Sequence, residues 1–260
     1  MSANTTSTTF LPKEHGSWSL VLEPLALGLL VAPSIAGGAL ATTAFAGFLV
    51  RRPLKAALAP DFSEHRTASR QTAAVLSALA FAGLLETIAL GGWRPLWPLL
   101  FVVPLGGLFA WFDIQGEARA AAAELAGSTA FALLPAALAT LANWPVPLAL
   151  ALAVLALARS VPTILSVRAY LRLRKGPAML PIAPLFAAII ACGAVLLLAG
   201  EGYVPPLAVA GTILLLVRTA WLVSSLRPTW TARRIGMAEM ALGLSYLALI
   251  TIAYCAPLRW

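Results

Sequence analysis

The sequence predicts an all-α fold, a polytopic transmembrane helix bundle of about nine helices, and three observations carry that prediction. The 260-residue chain is 60% hydrophobic and only 11% charged, against roughly 45–50% and about 25% in soluble domains. Its apolar residues fall into nine runs, most of them close to the ~17–25 residues that a helix needs to cross a bilayer core. Lys and Arg gather in alternate connections between those runs, the sorting described by the positive-inside rule. A membrane barrel would alternate apolar and polar residues, whereas Leu148–Ala158 is apolar at every position.

In chain order, residues 1–16 form a polar segment expected in the cytoplasm, and residues 17–260 form one transmembrane domain. The apolar runs lie near 17–33, 35–51, 72–91, 96–112, 122–142, 146–166, 178–199, 205–222 and 235–256. The first contains Glu23 and lacks a small-residue cleavage site, so it reads as a retained span rather than a cleaved signal peptide. The first two are short and meet in a tight turn over Pro33–Gly38. Connections near 51–71, 113–121, 167–177 and 223–234 are charged, and those near 33–38, 92–95, 143–145 and 200–204 carry little charge. With the amino terminus on the charged side, 16 of the 18 Lys and Arg residues fall at or near that side, and only Arg94 and Arg259 oppose them. The expectation is N-in, C-out. Tryptophan, which favours headgroup level, gives the same picture: Trp93, Trp97, Trp144 and Trp260 mark outer ends, and Trp18, Trp111, Trp221 and Trp230 mark inner ends. Small residues throughout permit close helix approach. Prolines at 24, 104, 135, 162 and 184 each remove a helical hydrogen bond and favour a kink.

Composition also excludes. A net charge of +8 would suit nucleic acid on a soluble face, but these cations sit between apolar runs and report orientation instead. Cys192 and Cys255 lie in separate apolar runs, without the spacing of a metal motif or a disulfide framework. No metal and no cofactor is expected.

Ionisable residues at membrane depth are candidates for function because an unpaired charge there costs several kcal/mol, about 3 on insertion scales. Glu23 lies ~9 Å along a helix from Ser17 and so requires a partner. Arg159 precedes Val167 by more than two helical turns and needs a carboxylate or an anionic ligand. Glu124 opens a run that stays apolar for nearly twenty positions. If Gly116 does not break the helix, Asp113, Glu117 and Glu124 lie within about 40° of one face and could form a Mg²⁺-competent acidic stripe; otherwise Asp113 and Glu117 occupy a solvated turn. Arg168, Arg172 and Lys175 recur at i, i+4 and i+7 as a basic stripe, suited to anionic headgroups. Arg218 and Glu239 lie nearer helix ends and can snorkel to the interface, and Glu239 is alternatively one of the deeper charges that gather in the cytoplasmic half with Glu23, Glu124 and Arg159. His15, beside Glu14, either caps the first helix or serves as a ligand or proton relay. The candidate ligand-binding set is therefore His15, Glu23, Arg51, Glu124, Arg159 and Arg168. Arg159 is expected to pair with Glu23 or with Glu124 across a cavity open to the cytoplasm.

The motif PKEHGSW, Pro12–Trp18, resembles the opening of the YwiC-like membrane proteins. The resemblance continues in RRPLK (Arg51–Lys55), EARAAAAELAGS (Glu117–Ser128) and RSVPTILSVRAYLRLRKG (Arg159–Gly176). It implies a bacterial inner-membrane, multi-pass protein and supplies no catalytic residues. The layout, with loops after the second and sixth spans, is also similar to the UbiA prenyltransferases, which hold Mg²⁺ through aspartate-rich motifs. Here Asp61 and Asp113 are the only aspartates, and the equivalent loops are basic instead. Three functional expectations follow. The first is binding or transport of an anionic or amphipathic small molecule from the cytoplasmic side, in contact with membrane lipids and their anionic headgroups. The second is a UbiA-like transferase with altered chemistry, and the third a structural or assembly factor of a membrane complex.

Overall fold

A computed structural model of the protein describes residues 15–58, 66–176 and 181–255, with side chains from Trp18 onward in the first helix. Among the described residues the fold is all-helical: α1 (His15–Val31), α2 (Ile35–Leu58), α3 (Arg66–Gly91), α4 (Leu99–Ile114), α5 (Ala121–Leu141), α6 (Val146–Leu173), α7 (Ile182–Gly200), α8 (Leu207–Val223) and α9 (Ala232–Cys255), with a single 3₁₀ turn at Arg94–Leu96. Among the described residues, each of the nine expected runs is occupied by a helix. Five of them, α3, α5, α6, α7 and α9, are long and apolar enough to cross a membrane, while α1, α4 and α8 are apolar but shorter. The chain is a multi-pass membrane protein.

The helices extend past the apolar runs mainly at the basic end. The second run stops near residue 51 but α2 continues to Leu58; the sixth stops near 166 but α6 continues to Leu173. Arg and Lys are good helix formers, and a hydropathy pattern does not register their turns.

Three helices stop in the same way. At α4, α5 and α7 the residue after the cap has positive φ: Gly116 (+79°), Asn143 (+62°) and Gly202 (+74°). The next amide reaches back five residues, Glu117 N to Phe112 O at 2.8 Å, Trp144 N to Ala139 O at 3.0 Å and Tyr203 N to Leu198 O at 2.8 Å. This is the Schellman arrangement, which needs a residue that tolerates the left-handed region. Gly116 therefore ends α4, and Asp113, Glu117 and Glu124 do not share a helical face.

Packing places α5 and α6 at the centre. α5 packs against α1, α2, α4 and α6, and α6 against α1, α5, α7, α8 and α9. Two-thirds (67%) of the apolar stretch of α6 is buried inside the protein, against 17% of that of α3, so α3 presents most of its surface to lipid. The core divides into a cluster around Leu152, Leu155, Val195 and Ile250 on the α6–α9 side and another around Leu25, Leu40, Leu134 and Leu138 on the α1–α5 side. Small residues set the closest approaches. A Cβ at Gly28 would run into Leu138, and one at Gly83 of α3 into Thr43 and the Ala39 carbonyl of α2.

Candidate functional site

Four charged side chains meet between α1, α6, α8 and α9. Arg159 Nε lies 3.3 Å from Glu23 Oε2, and Arg159 Nη1 lies 3.5 Å from Glu239 Oε2. Arg159 Nη2 also donates to the Glu239 backbone carbonyl at 2.7 Å. Arg218 pairs with the other Glu239 oxygen and donates to Ser166. Hydroxyls complete the surroundings: Ser19 donates to Glu23, and Thr163 accepts from the Arg159 guanidinium. The side chains of Arg159, Arg218, Glu23 and Glu239 are 5%, 10%, 13% and 13% exposed. Two cations and two anions thus balance at a depth where a lone charge would be costly.

Local sequence makes this meeting possible. Glu23 lies one residue before Pro24, within α1, and its carboxylate rests against α9 at Gly243, where any Cβ would overlap it. Arg159 sits on the central helix, fourteen residues before the end of α6. Of the two partners expected for Arg159, the structure selects Glu23. Glu124 instead pairs with Arg168 at 2.6 Å. Arg218 and Glu239, which lie near enough to helix ends to snorkel, instead both turn inward to the network, and of the two readings open for Glu239 the structure selects the deep one. The sign was available in the sequence: they lie five and seven residues inside the ends of α8 and α9, within apolar runs.

A cavity of about 740 Å³ opens above this network. The central helix α6 lines it through residues 159, 163, 164, 167, 168, 171 and 172, a span of ~20 Å at helical rise. Arg159, Thr163 and Glu239 form its deep end; Arg168, Arg172 and Lys175 stand at its rim. The facing wall is aromatic, with Phe48 of α2, Phe109 of α4 and Phe131 of α5. Phe48 and Phe131 meet edge to face at 6.0 Å. A second pocket, between Glu23, Arg159 and Tyr246, is of about 10 Å³, room for about one water molecule at most.

Two ion pairs edge the mouth. Arg51 Nε and Lys55 Nζ lie 3.1 and 3.3 Å from the two Asp113 oxygens, tying α2 to α4, and Arg51 stacks over Phe109 at 4.9 Å. Asp113 is 6% exposed, so the solvated-turn expectation fails for it. Glu117, which is exposed, fits that expectation. Arg168 adds a bond of 2.9 Å to the Arg119 carbonyl, which fastens the α4–α5 connection to α6.

Of the six candidate residues, Arg51, Glu124, Arg159 and Arg168 line this one cavity, and Glu23 supports its floor through Arg159. The side chain of His15, like Pro12–Glu14 of its motif, lies outside the described residues. The hydroxyls, Gly243 and the aromatic wall were not singled out in the sequence; three phenylalanines on three different helices carry no pattern that a single run would show. Among the described residues, no three His, Cys, Asp or Glu side chains gather where they could hold a metal ion. Cys192 and Cys255 are free thiols.

Residues 11–139 match the family model described as YwiC-like protein. The match covers α1 to nearly the end of α5, including Glu23, Arg51, Asp113 and Glu124, while the Arg159–Gly176 stretch lies beyond it. No curated protein and no solved structure matches the chain. Over this stretch, just under half of the chain, which holds its amino-terminal motif and the aromatic wall of the cavity, the protein is similar to the YwiC-like family.

Proposed function

We propose that the protein binds an amphipathic anion in this cavity, charged group at the rim and apolar part against Phe48, Phe109 and Phe131, with the rim facing the cytoplasm of the inner membrane. The observation that carries the reading is the union, in one opening, of a basic α6 face and an aromatic wall. Its volume falls within the roughly 300–1,000 Å³ usual for small-molecule sites. Mostly apolar lining with a few convergent charged groups is the usual composition of such sites. The orientation is supported by the gathering of Lys and Arg at the rim. Transport would be a further step, in which the four-charge floor parts to let the ligand through.

Mass spectrometry of the protein purified in mild detergent tests the reading. The expected result is a defined amphipathic anion that accompanies the wild-type chain and is depleted in Arg168→Gln. Co-purification of bulk lipid alone, in equal proportion for both, contradicts it. Reporter fusions in the segments after Leu58 and after Lys175 are expected to lie on the cytoplasmic side; opposite sides would contradict the orientation.

A further inference from the structure

Among the described residues, the cavity mouth holds more positive charge than its carboxylates neutralise. Glu124 balances Arg168, and Asp113 alone serves both Arg51 and Lys55. Among the described residues, no carboxylate lies within ion-pairing distance of Arg172 or Lys175, although both line the opening. A neighbour shows that these two are sorted to the cavity. Arg174, between them in sequence, points elsewhere and donates to the Trp230 carbonyl.

From this surplus we infer that the ligand of the proposed site is a phosphate monoester carried on one apolar chain, an inference that rests on the reading of the cavity given above. A carboxylate ligand would cancel one of the rim charges. A phosphate monoester carries about −1.5 to −2 at neutral pH and three acceptor oxygens, enough to take bonds from several donors together. Arg168 and Arg172 are neighbours at i and i+4 on α6, and Lys175 stands in the turn just past the end of that helix and lines the same opening, so the three long side chains can converge on one group. Guanidinium groups bind phosphate oxygens in pairs, and Arg168 is already held in place by Glu124 and the Arg119 carbonyl.

The volume restricts the rest of the molecule. About 740 Å³ is within the roughly 300–1,000 Å³ of sites that take one small molecule, which suits a headgroup and one chain. A diacyl phospholipid carries a second chain. Along the ~20 Å of α6 that lines the cavity, Phe48, Phe109 and Phe131 line it as well and offer an apolar chain a surface.

The test uses the full chain in nanodiscs of zwitterionic lipid, with apparent Kd taken from ligand-dependent thermal stabilisation. Decyl phosphate is compared with decanoate, inorganic phosphate and diacyl phosphatidic acid. Decyl phosphate is expected to bind at least about tenfold more tightly than each of the other three, as for charge-assisted bonds gained or lost. The Arg172→Gln/Lys175→Gln pair is expected to weaken decyl phosphate about tenfold, and Arg174→Gln to leave it unchanged; circular dichroism and elution volume check that the variants fold. Equal binding of decanoate overturns the phosphate assignment while leaving an amphipathic anion site. Equal binding of inorganic phosphate overturns the chain, and equal or tighter binding of phosphatidic acid overturns the single-chain limit. If no amphiphile stabilises the protein, the cavity reading itself fails.

Discussion

Two groups of ion pairs, a few helical turns apart, use the same residue types for different ends. In the deep network, Arg159, Arg218, Glu23 and Glu239 are each at most 13% exposed and sum to zero. At the rim, Asp113 is buried but its partners are not: Lys55 is 55% exposed, Arg51 and Glu124 34%, and Arg168 25%, and the sum is positive. Burial makes the first group an obligatory structural unit, because removing one member strands another in low dielectric. Exposure makes the second group cheap to rearrange, because solvent screens each pair. A ligand can compete for rim charges; it cannot cheaply take one from the floor.

Breaking the deep group gives the largest expected effect. Arg159→Met leaves Glu23 and Glu239 with Arg218 alone, and an uncompensated buried charge costs about 3–5 kcal/mol. The expected outcome is a large drop in thermal stability in detergent or a loss of folded protein. Adding Glu23→Gln to Arg159→Met is expected to restore part of that loss, since it removes the stranded charge; strict additivity would show that the two do not interact.

Next in size is Gly243→Ala. Its methyl group would occupy the place of the Glu23 carboxylate, and overpacking of this kind costs about 1–3 kcal/mol. Gly38→Ala, where a Cβ meets nothing within 4 Å, is the matched control and is expected to leave the melting temperature unlowered. Equal losses for both would show that α9 does not approach Glu23 as described.

The rim gives smaller effects, and of opposite sign for stability and binding. Asp113→Asn releases Arg51 and Lys55, and its partly exposed pairs suggest a stability loss of about 1 kcal/mol or less, shrinking as salt is raised. The same change adds positive charge to the mouth and is expected to tighten binding of an anionic amphiphile. Weaker binding would show that the clamp between α2 and α4, and not the rim charge, governs the site.

Much of the helical frame was legible in the sequence, because lipid-length apolar runs leave few alternatives. The basic ends of α2 and α6 were not, since helix continues there through Arg, Lys and Pro53 on packing rather than hydropathy. Gly116 posed a choice that composition leaves open and a Schellman cap closes. In the site, Glu23 and Arg159 stood out because each interrupts a long apolar run. Their counterparts Arg218 and Glu239 stand out less because they lie nearer helix ends, where snorkelling is open to them, yet a long side chain can turn inward as readily as outward when a partner is buried there. Asp113 was misread for the same reason: its burial depends on Arg51 and Lys55, some sixty residues earlier, and no local pattern records that. The aromatic wall is wholly a product of tertiary packing.

The separation of floor from rim is tested most directly by measuring stability and decyl phosphate affinity on the same two variants, Arg159→Met and Arg172→Gln. The account predicts a strongly lowered melting temperature for the first, and for the second an unchanged melting temperature with clearly weakened binding. If Arg172→Gln destabilised the protein as much as Arg159→Met, or if Arg172→Gln left binding untouched, the division of labour between the two groups of charges would be contradicted.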